Sequence, residues 1–181
     1  MKRITGELRN EVREDVKTNL ARRGGADTLM ISRYAPDPSI EGQRLSDLAA
    51  ASHTAPEEYA LRLLEKGDAS LVSFNMSEGD IEHIMRQPWT MTCTDGDLVP
   101  LGLGKPHPRA YGAFPRKLKR YVVERGAVSL PDAVRSMTSL PAAVFGLTDR
   151  GQLRPGAIAD VLIFDLARVN DAATYQQRHQ L

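Results

Sequence analysis

Three short apolar runs at residues 28–32, 69–76 and 89–94, separated by segments that read as helices, constrain this chain more than any other feature. The first separating segment opens with Thr54-Ala-Pro-Glu57, the spacing of a capping box, and its periodic run stops at Gly67, which predicts a helix over 56–66. The second has Ser77 in position to cap and Asp80 in the first turn, which predicts a helix over 78–87. Residues 34–42 contain prolines and read as a loop. Connections of crossover length join parallel strands, so the succession predicts a parallel sheet covered by helices, an α/β fold.

The flanks fit this scheme. Ile4, Leu8, Val12, Val16 and Leu20 recur every four residues with charges between them, the mark of an amphipathic helix ending near Gly24-Gly25. After a long loop at 97–114, helices are expected at 115–125, stopped by Gly126, and at 131–138, entered through Ser129. Residues 159–165 read as another strand behind the turn at Arg154-Pro155-Gly156.

A chain of 181 residues can bury one sizeable core but falls short of the ~250 residues typical of a complete eightfold barrel. The 24 basic and 23 acidic residues are mixed along the sequence and leave a net charge of +1, which gives no footprint for nucleic acid or an anionic membrane. One cysteine, Cys93, excludes an intramolecular disulfide framework and fits a reducing compartment. No apolar run approaches the ~20 residues of a membrane span, and the N-terminus has no signal-peptide core. The expectation is a soluble, cytoplasmic protein that handles small molecules.

Asp95 is the residue best placed for chemistry. It follows an apolar run and precedes Gly96, so its carboxylate would stand at the C-terminal mouth of a strand, where α/β barrels carry their active sites. An Asp-Gly pair is also simply a turn. Arg109 offers a planar fork suited to gripping a carboxylate, or else a solvated loop side chain. His107, held extended between two prolines, either lines a pocket or structures its loop. Met76 is a substrate-facing or a plain strand-end methionine. Cys93 alternates with Asp95 and reads as a small residue of a buried strand. Tyr111 and Phe114 read as packing residues of the long loop. Gly102-Leu-Gly-Lys105 lacks the full spacing of a phosphate loop, and the basic run from Arg116 to Arg120 reads as the wet face of a helix.

Three ordered blocks, Asn75-Met-Ser-Glu78, Thr94-Asp-Gly96 and His107-Pro-Arg-Ala-Tyr-Gly112, together with 138–143 and 156–165, resemble the N-acyl-D-amino-acid deacylases of the amidohydrolase superfamily across residues 26–174. The resemblance implies the C-terminal part of a (β/α)8 barrel, about its last three strands, in residues 1–145. It further implies a remnant of the small β-sandwich domain in 146–181. It implies a zinc-dependent hydrolase that cleaves the N-acyl amide of an N-acyl-D-amino acid. Asp95 then relays a proton from a zinc-bound water to the departing amine, and Arg109 pairs with the substrate α-carboxylate. Met76 and His107 then belong to the substrate pocket.

The superfamily holds its metal through a His-X-His pair and further histidines, with a cysteine ligand in the deacylases. His53, His83, His107 and His179 form no such pattern, so zinc is expected for the intact enzyme with most ligands outside this chain and Asp95 beside the metal site. The chain alone is therefore expected to be inactive. Its open barrel edge would bind a complementing N-terminal chain or another copy. The remaining alternatives are an amidohydrolase acting on cyclic amides, of the hydantoinase or dihydroorotase kind, and an inactive truncated chain that only binds a partner.

Overall fold

Leu29–Arg33 (β1) and Ser70–Ser73 (β2) are the two strands among residues 6–96, 98–175 and 177–180, the residues that the computed structural model describes. They pair antiparallel, Leu29 opposite Ser73 and Ile31 opposite Leu71, with an irregularity between Ile31 and Arg33. Parallel pairing was the expectation, and the reason for its failure lies in the connection. It contains two helices, Leu45–Ala51 (α2) and Pro56–Lys66 (α3), where the sequence reading had placed one. A single crossover helix returns the chain parallel, whereas a second helix after a short turn reverses it once more. Because barrel-wall strands are parallel, β1 and β2 cannot be neighbours in such a wall.

The chain forms two units, Met1–Asn75 with Val99–His107, and Met76–Leu98 with Pro108–Leu181. In the first, helix Arg9–Arg22 (α1) buries its four-residue stripe progressively, from exposed Leu8 through half-buried Val12 and Val16 to buried Leu20. Ile4, the first member of that stripe, lies outside the described residues. Gly24 and Gly25, both at positive φ, close the helix as expected. Leu20, Leu29, Ile31, Tyr34, Ile40, Leu45, Leu48 and Leu63 make one apolar core. The Tyr34 hydroxyl satisfies itself there by donating to the Leu63 carbonyl at 2.8 Å. Arg9 ties α1 to α3 through Glu58, at 2.6 Å, and Glu65.

The expected capping box does not form. Ala55 is the N-cap of α3, and Thr54 instead donates its hydroxyl proton to the Ser52 carbonyl and accepts from Arg62. The segment around Gly102-Leu-Gly-Lys105 is seated on β1, since the Lys105 N–H donates to the Ser32 carbonyl at 2.7 Å and the Ser32 hydroxyl donates to the Lys105 carbonyl at 2.8 Å.

The second unit is helical: Glu78–Met85 (α4), Arg109–Arg116 (α5), a π-helical continuation at Lys117–Glu124, Leu130–Met137 (α6) and Ser139–Val144 (α7). Ser77 and Ser129 cap α4 and α6, each accepting the N–H of the residue three positions on, Asp80 at 3.4 Å and Asp132 at 3.2 Å. The helix expected from 115 begins at Arg109, inside the stretch read as loop, of which Asp97 lies outside the described residues. Pro115 within it removes one rung of the hydrogen-bond ladder, and the helix continues in the wider register, with the Arg125 N–H reaching the Arg120 carbonyl at 2.9 Å.

Two expected strands are absent. Among the described residues, 89–94 and 159–165 run without a ladder partner, and β-structure needs a neighbour to take its backbone groups. Trp89 is exposed, as are Val161, Leu162, Ile163 and Phe164, with Ile163 at 91 %. Among the described residues, the amides of 161–164 donate no backbone hydrogen bond. No helix among them is long and apolar enough to cross a membrane.

Candidate functional site

Asp95 and Arg109 meet. Arg109 Nη2 lies 2.9 Å from Asp95 Oδ2, so two of the four candidate residues form one ion pair. The backbone is shaped for it. Asp95 takes the left-handed conformation, φ 45°, which aspartate tolerates better than most residues, and the Gly96 N–H turns back to Thr94 Oγ1 at 3.3 Å. A Cβ at Gly96 would stand 2.7 Å from the Ala110 Cα, so only glycine lets the turn lie against the first turn of α5. Arg109 is the first residue of that helix, whose N-terminal dipole favours a nearby carboxylate. The Asp95 side chain is 76 % exposed, so the pair is open to solvent and easily exchanged for another anion.

Behind the turn stands a group whose place in the sequence gave it no prominence. Lys117 is 5 % exposed, which corrects the reading of the whole basic run as a wet helix face; Arg116, its neighbour, is exposed and pairs with Asp171 at 3.0 Å. Lys117 Nζ lies 2.7 Å from both Thr92 Oγ1 and Ser136 Oγ. The Ser136 hydroxyl donates to the Ala133 carbonyl at 2.7 Å, and the Thr92 N–H donates to the Ser136 carbonyl at 2.9 Å. Burial pushes the Lys117 ammonium below the usual lysine range. The available signal was the four-residue spacing of Lys117 and Tyr121, which share the buried side of the helix.

The other candidates are more scattered. Met76 is 71 % exposed just before the cap of α4. His107 is half-buried at the end of the first unit's Val99–His107 segment. Cys93 is exposed and lies in no strand, against the expectation of a buried strand residue, because residues 89–94 have no ladder partner among the described residues. Tyr111 packs, as expected: its hydroxyl is 2.8 Å from His179 Nδ1 and the two rings meet edge to face. Gly112 admits Asp171, whose Cβ would be 3.0 Å from an added Cβ.

Among the described residues no three His, Cys, Asp or Glu side chains converge to hold a metal ion. Asp95 faces a guanidinium instead. The donor set of the described residues alone does not fit a catalytic zinc, which takes about three protein ligands.

An N-acyl-D-glutamate deacylase of Alcaligenes xylosoxydans xylosoxydans is 40 % identical over 149 residues, which are 82 % of this chain and 29 % of that protein. A D-aminoacylase of the same organism is 37 % identical over 83 % of this chain and 30 % of its own length. The crystal structure of an N-acyl-D-glutamate deacylase from Bordetella bronchiseptica, complexed with zinc and a phosphonate mimic of the tetrahedral intermediate, aligns with a TM-score of 0.77 at 37 % identity, over 88 % of this chain and 32 % of that one. The chain thus spans about three-tenths of the length of the curated relatives it matches. Residues 19–180 match the amidohydrolase family along their whole extent, and the chain belongs to that family.

Proposed function

We propose that this chain is the C-terminal portion of a zinc-dependent deacylase of N-acyl-D-amino acids, with Asp95 as its proton carrier and Arg109 as the clamp for the substrate α-carboxylate. The observation that carries the reading is the Asp95–Arg109 pair, 2.9 Å apart on an exposed turn against a helix N-terminus. A carboxylate in that position can act as a general base and acid, and a guanidinium beside it grips an anion through two parallel hydrogen bonds. In the free chain Asp95 occupies the fork that a substrate carboxylate would take. Binding therefore frees Asp95 for proton transfer as it fills Arg109. Met76 and His107 belong to the substrate pocket in this reading.

The deacylase relatives and their shared length over most of this chain support it. Residues 1–145 then contribute to a (β/α)8 barrel and 146–181 to the β-sandwich. In this reading zinc ligands come from outside the chain, since among the described residues no three donors converge.

The test supplies the missing strands as a separate N-terminal fragment of the related N-acyl-D-glutamate deacylase, with zinc, and follows hydrolysis of N-acetyl-D-glutamate. The complemented chain is expected to release D-glutamate, Asp95→Asn to lower kcat by at least ~100-fold, and Arg109→Lys to act mainly on KM. Activity that survives Asp95→Asn, or that prefers a cyclic amide such as a hydantoin, overturns the proposal.

A further inference from the structure

We propose that Lys117 is the positioning residue of the Asp95 turn: its ammonium binds Thr92 to Ser136 and so fixes the unpaired segment that ends in the carboxylate. The inference rests on the reading of Asp95 as proton carrier, but its content is geometric. Residues 89–94 have no strand neighbour among the described residues to hold them. Thr92, which precedes Asp95 by three positions, is tied three times, by its N–H to the Ser136 carbonyl at 2.9 Å and by its hydroxyl to Lys117 at 2.7 Å and to Ser136 Oγ at 3.1 Å.

The direction of every proton in the cluster follows. Ser136 gives its hydroxyl proton to Ala133, so the Ser136 oxygen is left to accept from Lys117 at 2.7 Å and from Thr92 at 3.1 Å. The Thr92 oxygen accepts from Lys117 in turn. Lys117 is thus a donor to both hydroxyls and not a base that could activate either of them. It makes no ion pair among the described residues. A buried ammonium without a carboxylate is costly where a methionine would pack as well, so its presence calls for what a methionine lacks, the two donated hydrogen bonds.

The same helical stretch grips the segment at two points. Its first turn, at Arg109 and Ala110, receives Asp95 and Gly96, while Lys117, where the register widens behind Pro115, receives Thr92. Wider-register segments of this kind recur at functional sites, where they re-aim a side chain. Here the side chain re-aimed is Lys117.

The experiment compares the 181-residue chain with its Lys117→Met and Thr92→Val variants by NMR, with neither zinc nor substrate present. Both variants are expected to shift the Asp95 carboxyl carbon and the Gly96 amide and to speed hydrogen exchange of the Thr92 amide by about tenfold or more. Amides of β1 serve as the control for folding. Unchanged Asp95 and Gly96 signals in Thr92→Val, which is nearly isosteric and removes only the hydroxyl that accepts from Lys117 and donates to Ser136, overturn the inference even if Lys117→Met fails to fold. Shifted signals in a complemented enzyme that does not cleave N-acetyl-D-glutamate would leave this geometry standing and sink the functional reading alone.

Discussion

The two units of this chain bury different things. The first unit's core is Leu20, Leu29, Ile31, Tyr34, Ile40, Leu45, Leu48 and Leu63. Among its described residues the second buries one large apolar side chain, Tyr121, beside Ala127, Ala133, Ala142 and Ala173, and encloses Lys117, Ser136 and Arg178. Apolar burial contributes roughly 25 cal/mol per Å², whereas a hydrogen bond contributes about 1 kcal/mol net. The first unit is therefore stabilised by bulk, and the second by directed contacts such as Glu82 with Arg86 and Arg125, or Glu78 with Arg120. Directed contacts fix positions more sharply than they stabilise. The unit built from them also carries the Asp95–Arg109 pair.

The contrast is open to attack at its strongest point first. Ile31→Ala, at a fully buried site, is expected to cost about 2–5 kcal/mol, read from urea unfolding; a loss below about 1 kcal/mol would deny the first unit its apolar core. Gly96→Ala is expected to cost about 1–3 kcal/mol, because its Cβ meets the α5 backbone and not a flexible side chain. A crystal structure of that variant should show the Asp95 carboxylate moved away from Arg109. Removing the cap of α6 with Ser129→Ala should cost about 1 kcal/mol, seen as a small drop in thermal midpoint.

The smallest effect is a slope. The folded Lys117 loses its proton at lower pH than the unfolded residue does, so between those two points the unfolded chain binds more protons and stability rises with pH. Its destabilising contribution is complete below the folded pKa and fades as pH climbs toward the ordinary lysine value. The unfolding free energy of wild type relative to Lys117→Met, measured from pH 8 to 10.5, should therefore rise with pH; parallel curves would show an unperturbed lysine.

Local chemistry was legible in the sequence. Ser77 and Ser129 cap the helices that follow them, Gly24-Gly25 ends α1, and Gly67 and Gly126 stand where helices stop, because caps and left-handed turns depend on a few adjacent residues. The family resemblance was legible for a similar reason, in short ordered blocks. What depended on distant partners was not. The apolar runs at 89–94 and 159–165 have strand composition, but strands exist only with neighbours. Helix α2 hid behind the prolines of 34–42 and reversed the β1–β2 pairing. Lys117 hid among four other charged or polar-flanked positions of a basic run, since composition averages over a helix face and cannot see a change of register. At the candidate site, the types and order of Asp95 and Arg109 were readable; their mutual pairing was not.

Residues 161–164 act as a built-in reporter. With no partner for their amides among the described residues and side chains as exposed as Ile163 at 91 %, these backbone protons should exchange with deuterium at close to the rate of an unstructured peptide. Any event that gives this stretch a neighbour will slow that exchange at four consecutive sites, without a label, an assay or a substrate. The chain thus carries its own gauge of when that stretch gains a neighbour.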